Sequence, residues 1–152
     1  MDLNKTGLRK QIQRESMNMC DEIGKTNSET APPFELCART FQFALCILNL
    51  CGNLNHRPGV NWVLSKQLLR SGTSIGANVE EGQAAQSRAD FISKYSLARK
   101  ETRETRYWLR LIQASGLSSH PDIPQLINET DQLLKILTTI IKNTQNKDKD
   151  EK

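Results

Sequence analysis

The sequence lacks the features of a membrane protein or an exported protein. Its 152 residues contain no apolar run of the roughly 20 residues that a membrane-spanning helix needs. The longest apolar segment, residues 43–51, is short and contains Asn49. No apolar stretch follows the basic residues of the N-terminus, as a signal peptide would require. The composition therefore predicts a cytoplasmic protein with no membrane contact.

The sequence also lacks the residue patterns of metal sites and of common active sites. It has no Cys-x-x-Cys pair, and its two histidines, His56 and His120, lie far apart in predicted loops. The glycines of residues 71–82 are not followed by the Lys-Ser/Thr of a phosphate-binding loop. Glu80 and Glu81 are adjacent, so on a helix they point about 100° apart and cannot act on one substrate atom. We therefore predict no metal, no cofactor, no catalytic residues and no enzymatic activity.

Cysteine is present, but its arrangement argues against a disulfide framework. The chain has four cysteines, Cys20, Cys37, Cys46 and Cys51. The last three fall on one predicted helix, where a rise of about 1.5 Å per residue separates their Cα atoms by more than the ~7 Å that a disulfide allows. Since no export signal is present either, we predict reduced thiols.

Apolar residues recur at helical spacing in four segments within residues 32–146. The four stripes are Phe34, Cys37, Phe41, Ala44, Leu48 and Cys51; Leu64, Leu68, Ile75 and Val79; Phe91, Tyr95, Ala98, Thr102, Thr105, Leu109 and Ile112; and Leu126, Thr130, Leu133, Leu137, Ile140 and Thr144. No segment shows strand alternation. We predict an all-α, up-down-up-down antiparallel four-helix bundle. A polar N-terminal extension at 1–31, partly helical or disordered, precedes it, and a solvated tail at 147–152 follows it.

The two middle stripes are diluted by Ser, Thr and Gly, most of all in the run SGTSIGAN of the second helix. Gly72 and Gly76 each cost about 1 kcal/mol relative to Ala inside a helix. They lie four residues apart on one face, a spacing that favours close approach of another helix. We expect part of the second and third helices to face another subunit or a polar partner.

Polar residues of the second and third helices are predicted to meet. If the chain turns near residues 86–87, antiparallel pairing brings the second helix alongside the third. Arg70 then lies at a level between Glu101 and Glu104. The predicted polar seam consists of Arg70, Ser74, Asn78, Glu101 and Glu104. It is either a buried ion pair that fixes the helix register or a polar pocket for a ligand.

Positive charge is concentrated in residues 57–117, which hold ten basic and five acidic residues. Arginine pairs bidentately with phosphate, so a basic stripe on the third helix indicates a nucleic-acid-binding edge, the alternative being a solvated helix face. Tyr107 and Trp108 beside it either stack on a base or pack in the core or at a subunit interface. The predicted nucleic-acid-binding residues are Arg99, Lys100, Arg103, Arg106 and Arg110.

Three parts of the sequence carry a resemblance to a known family. They are LLRSGTSIGAN at 68–78, SRADFISK at 87–94, and Glu101 and Glu104 with YWLRL at 107–111. These motifs resemble the four helix bundle protein family, which includes the proteins encoded by intervening sequences in bacterial large-subunit ribosomal RNA genes. With the flanking helices the likeness covers about residues 34–143.

The resemblance implies a bacterial, non-enzymatic bundle that assembles as a homo-oligomer, often a homopentamer. A related branch, the accessory proteins of diversity-generating retroelements, uses a basic pentamer to bind RNA and a reverse transcriptase. No catalytic residues are implied. We therefore hypothesise a homo-oligomeric bundle that binds RNA or a ribonucleoprotein partner through its basic surface. The alternative is a protein-binding adaptor or scaffold with no nucleic-acid contact.

Overall fold

The described part of the chain forms four long helices. A computed structural model describes residues 33–54 and 59–150, and the predicted extension at 1–31 lies outside the described residues. The helices are α1 (Pro33–Leu54), α2 (Val60–Gln83), α3 (Arg88–Ser115) and α4 (Ile123–Asp150). The part of the chain described here contains no strand. Helix α4 continues past residue 146 into the segment predicted as a solvated tail.

Each helix packs against the next, and α4 closes the bundle against α1. Along α2 and α3 the contacts run in opposite directions, because Arg70 meets Glu104 whereas Glu81, near the end of α2, meets Lys94 near the start of α3. This confirms the predicted four-helix bundle. None of the described helices is both long enough and apolar enough to cross a membrane.

The core is formed by side chains from all four helices, but α1 contributes a different face from the predicted one. Leu36, Phe43 and Ile47 are fully buried, whereas Phe41, at 56% exposure, and Leu48 lie on the outside. Helix α1 is apolar on almost every side, so two stripes fit helical spacing equally well. Contacts with the other helices of the bundle bury one of these stripes and leave the other exposed.

The glycines of α2 allow α1 to approach closely. A Cβ atom on Gly72 would lie 2.8 Å from Cγ2 of Ile47, and one on Gly76 would lie 3.5 Å from backbone atoms of Thr40. The predicted close approach therefore occurs between helices of the same chain.

The small polar residues between α2 and α3 are also buried within the chain. Ser71 and Thr105 are fully buried, and the Thr105 hydroxyl donates to the Ser71 hydroxyl at 3.0 Å. A Cβ atom on Gly82 would lie 2.5 Å from Cε2 of Tyr95. Ser71 and Gly82 of α2 therefore pack against the Thr105 hydroxyl and the Tyr95 ring of α3. The expectation that these parts of the two helices face another subunit is wrong at these residues.

The cysteines only partly follow the prediction. Cys37 and Cys51 are free thiols. Cys46 is disulfide-bonded, which contradicts the prediction of reduced thiols, and Cys20 lies outside the described residues. Helical spacing excludes a disulfide among Cys37, Cys46 and Cys51, but it does not exclude a disulfide from Cys46 to a cysteine outside α1.

Candidate nucleic-acid interface

Helix α3 presents one side to solvent along a length of 28 residues. Its start is capped by Ser87, whose hydroxyl accepts the backbone N–H of Asp90 at 3.1 Å. It ends at Gly116, whose φ of 67° is the left-handed conformation that glycine adopts readily. These two signals, both readable in the sequence, place the predicted basic residues on a single uninterrupted helix.

We call the five predicted nucleic-acid-binding residues of α3 the basic face. Lys100, Arg103 and Arg110 are exposed, and Arg99 is half-buried. Arg106 turns towards α4, where its Nε lies 2.6 Å from Oδ1 of Asp131. Among the described residues, no ion pair holds the three exposed cations. The basic face therefore retains uncompensated positive charge at its centre, with Arg106 at its α4 edge.

The structure brings together three members of the predicted polar seam. Arg70 pairs with Glu104, and its Nη1 lies 3.5 Å from Oε2 of Glu101. The guanidinium lies at the rim of the α2–α3 contact, since the Arg70 side chain is 53% exposed. The pairing is therefore a rim ion pair and not the deeply buried one that the sequence suggested.

The other two members of the predicted seam do not join the ion pair. The Ser74 hydroxyl donates to the backbone carbonyl of Arg70 at 2.7 Å, and the Asn78 amide donates to the carbonyl of Ser74 at 2.8 Å. Both side chains satisfy their polar atoms within their own helix. This bonding to preceding carbonyls competes with the contacts across the helix pair that we predicted.

A hydrogen bond and a ring contact link this ion pair to two aromatic residues of α3, the half-buried Trp108 and the exposed Tyr107. Trp108 Nε1 donates to Oε1 of Glu104 at 3.2 Å, and the Trp108 ring packs edge-on against Tyr107 with ring centroids 4.9 Å apart. Burial raises the pKa of Glu104, but hydrogen bonds from Trp108 and Arg70 and the charges of Arg70 and Lys100 outweigh it and hold the pKa below its ordinary value. Glu104 is therefore a fixed carboxylate that orients Trp108.

Sequence reasoning missed this link, although the spacing carries a signal for it. Glu104 and Trp108 are four residues apart on one helix, the separation at which side chains become neighbours. The same spacing on α2 brings Lys66 Nζ to 3.8 Å from the ring centroid of Trp62, a cation–π contact. Both tryptophans of the chain thus lie beside charged groups on α2 and α3.

The imidazole of His120, a group that often takes part in catalysis or metal binding in proteins, makes structural contacts in this chain. His120 Nε2 lies 3.2 Å from the Asn53 amide nitrogen, and its Nδ1 lies 3.7 Å from Oδ2 of Asp122. These contacts tie the α3–α4 loop to the end of α1. No group of three His, Cys, Asp or Glu residues suited to a metal ion occurs within residues 33–54 and 59–150.

Comparisons with known proteins agree with this fold. A family model described as 23S rRNA-intervening sequence protein matches residues 33–139. A search of curated proteins found no match.

Among solved structures, the chain is similar to a protein with unknown function from the S23 ribosomal protein family of Bacteroides thetaiotaomicron VPI-5482, whose crystal structure was determined at 1.70 Å. The two chains are 41% identical with a TM-score of 0.67, and the match covers 72% of this chain and 97% of the other. The match therefore extends over nearly the whole length of the related protein.

Proposed function

Since the chain belongs to the 23S rRNA-intervening sequence protein family, we propose that it is a non-enzymatic homo-oligomeric bundle that binds RNA or a ribonucleoprotein through the basic face of α3. The observation that carries this proposal is the positive charge of Lys100, Arg103 and Arg110 on one exposed line of α3, since none of the three forms an ion pair among the described residues. Unpaired cations on a helix surface attract a polyanion, and binding releases the counterions of its phosphates.

The acidic groups beside the basic face cancel only part of this charge. Arg70 supplies one positive charge to the two carboxylates Glu101 and Glu104, and Arg106 pairs with Asp131. One carboxylate charge of this cluster therefore remains against the three exposed cations, and an approaching phosphate still meets a surplus of positive charge. This charge distribution favours a polyanion such as RNA over a neutral or basic protein surface as the partner of α3.

A salt titration of binding to a structured RNA, followed by fluorescence anisotropy, tests the RNA part of the proposal. Three phosphate contacts predict a plot of log affinity against log salt with a slope of about −2 to −3. Arg103→Glu with Arg110→Glu should flatten that slope and weaken binding. Lys135→Glu with Lys142→Glu makes the same charge change on two exposed residues of α4 and should leave binding close to wild type.

The absence of RNA affinity at low salt would remove RNA from the proposal. If the protein nevertheless assembles with itself under those conditions, the protein-binding adaptor or scaffold becomes the favoured function. Equal loss of binding in the variant Lys135→Glu with Lys142→Glu would mean that total charge, and not the basic face, drives association.

The outer face of α1 supports self-association. Besides Glu35 and Arg39, α1 carries no charged residue, and Phe41 and Leu48 are exposed on the side away from the core. A helix that is apolar all round is normally covered on all sides in its working state. A closed ring requires two different patches on each copy, and the exposed apolar residues at the start of α2 offer a second one: Val60, Trp62 and Val63.

Light scattering coupled to size-exclusion chromatography tests the assembly. The wild type should elute as an oligomer, with five copies the number that the family resemblance implies, and Phe41→Glu should reduce its mass. Leu117→Glu, which alters an exposed leucine just beyond the end of α3, is the matched control. A wild-type particle of 17.2 kDa would contradict self-association.

A further inference from the structure

We propose that Tyr107 stacks on an unpaired base of single-stranded RNA while Arg103 and Arg110 contact the flanking phosphates, an inference that rests on the RNA binding proposed above. Tyr107 would distinguish single-stranded from duplex RNA, because its ring needs an exposed base face. The packing of the bundle does not explain why this aromatic side chain is exposed.

Tyr107 is 55% exposed, whereas Tyr95 of the same helix is buried. Phenol and indole rings carry large apolar surfaces, and a folded chain usually places them in the core or against a partner. Helical spacing puts Tyr107 on the side of α3 that faces away from the core, beside Lys100 and Arg103. The ring therefore adds little to the stability of the isolated bundle and remains available to a ligand.

The ring is held in place by the residues behind it. Trp108 contacts it with an angle of 72° between the ring planes. The Trp108 indole is itself fixed by Glu104, and Glu104 is fixed by Arg70. A base that stacks on Tyr107 therefore meets a ring whose orientation is already set, which lowers the entropic cost of binding.

Cations flank the ring on both sides along the helix. Arg103 precedes Tyr107 by four residues and Arg110 follows it by three, so all three side chains are neighbours on the helix surface. A nucleotide strand laid along α3 meets a guanidinium, an aromatic ring and a second guanidinium in turn. This order matches the alternation of phosphate, base and phosphate in a single strand.

Stacking on a side chain requires an exposed base face. In an RNA duplex each base is covered by its neighbours above and below, so a ring on a helix surface reaches only backbone and groove atoms. In a single strand the base turns out and stacks on an aromatic side chain, with basic groups following the backbone. The surface around Tyr107 thus favours single-stranded RNA, or an unpaired loop, over a duplex.

A second copy of the chain fits this surface less well than RNA does. Tyr and Arg are common at protein interfaces, but charges that are buried there need partners. Tyr107 lies among Lys100, Arg103 and Arg110, none of which is ion-paired among the described residues. The patches that a second copy offers at the outer face of α1 and the start of α2 are apolar, so they would leave these cations without partners, whereas phosphates supply partners for all three.

The test measures anisotropy of a labelled RNA of about 12 nucleotides, as a single strand and as a duplex with its complement, at one fixed low salt concentration. The variants are Tyr107→Ala, Tyr107→Phe and, as a control, Leu97→Ala, which removes another exposed apolar side chain of α3. We expect Tyr107→Ala to weaken single-strand binding roughly 5- to 100-fold. Tyr107→Phe, which keeps the ring, and Leu97→Ala should bind like the wild type, and the wild type should prefer the single strand.

Each other result overturns the inference. If RNA binds but Tyr107→Ala matches the wild type, or the duplex binds equally well, base stacking at Tyr107 is wrong and the proposed RNA binding stands. If the wild type binds neither RNA, the proposed function and the inference fail together. If Tyr107→Ala instead lowers the mass measured by light scattering, the ring belongs to a contact between copies.

Discussion

The Arg39 guanidinium donates two hydrogen bonds to the Glu129 carboxylate, from Nε at 2.6 Å and from Nη2 at 2.9 Å, across the contact between α1 and α4. Arg39 Nη2 also donates to Oε1 of Gln132 at 2.6 Å. The two charged side chains are 8% and 1% exposed. This pair connects the first and last helices of the bundle, and it is the most deeply buried ion pair among the described residues.

Removing one partner of this pair should destabilise the protein strongly. In Arg39→Met the Glu129 carboxylate stays buried without its counter-charge, and breaking a buried pair in this way costs about 3–5 kcal/mol. The free energy of unfolding, measured by urea denaturation at neutral pH, should fall by that amount.

The control for this change is Lys94→Met, which breaks the more exposed pair between Lys94 and Glu81 and should lower the free energy of unfolding far less, because water screens that pair. The double variant Arg39→Met with Glu129→Leu should recover most of the lost stability, because an apolar pair needs no counter-charge. If Arg39→Met and Lys94→Met are equally stable, the α1–α4 pair is not buried in solution.

Two buried glycines of α2 should respond in opposite ways to the same substitution. In Gly82→Ala the new methyl group lies 2.5 Å from the buried Tyr95 ring, and overpacking of this kind costs about 1–3 kcal/mol. In Gly76→Ala the nearest atoms, those of Thr40, are at an ordinary 3.5 Å, so the gain in helix propensity of up to about 1 kcal/mol should appear. Thermal unfolding of the two variants gives the comparison, and equal shifts would show that the helix spacing differs from that described.

Helical spacing was sufficient to predict which segments form helices and, for α2, α3 and α4, which side they bury. Ile75, Leu109 and Leu133 all belong to the predicted stripes, and all are fully buried. Polar residues occupy the opposite sides of these helices, so each helix has only one apolar face. Helix α1 has apolar residues on two faces, and only the positions of the other helices determine that Phe43 is buried and Phe41 exposed.

The part of the candidate site that the α2–α3 hairpin brings together could be predicted from the sequence. A turn near residues 86–87 places Arg70 at the level of Glu101 and Glu104, and the structure has the three side chains in contact. The pairing of Arg39 with Glu129 links residues 90 positions apart, so it depends on how the whole bundle closes. No local spacing carries that information.

Acidification should remove a stabilising contribution of Glu104. Because its pKa in the folded protein lies below the ordinary value of 4.5, the ionised carboxylate stabilises the fold above that pH. The contribution is lost as pH falls through the lowered pKa. Wild type should therefore exceed Glu104→Gln in unfolding free energy at neutral pH, and the difference should shrink as the pH falls below 4.5. A difference that does not change with pH would show that Glu104 acts only as a hydrogen-bond acceptor.

Cys37 and Cys51, the free thiols among the described residues, should react at different rates in the folded protein. Burial raises the pKa of Cys51, partly offset by the hydrogen bond with Ser65, and the side chain is almost completely inaccessible. Burial, and to a lesser extent the charge of Glu80, raises the pKa of Cys37, but that side chain is only half-buried. Since the thiolate is the reactive form, both should be alkylated by iodoacetamide more slowly than in urea, and Cys37 before Cys51. Peptide mass spectrometry after timed pulses measures both rates. Alkylation of Cys51 at the rate seen in urea would mean that the contact between α1 and α2 opens freely.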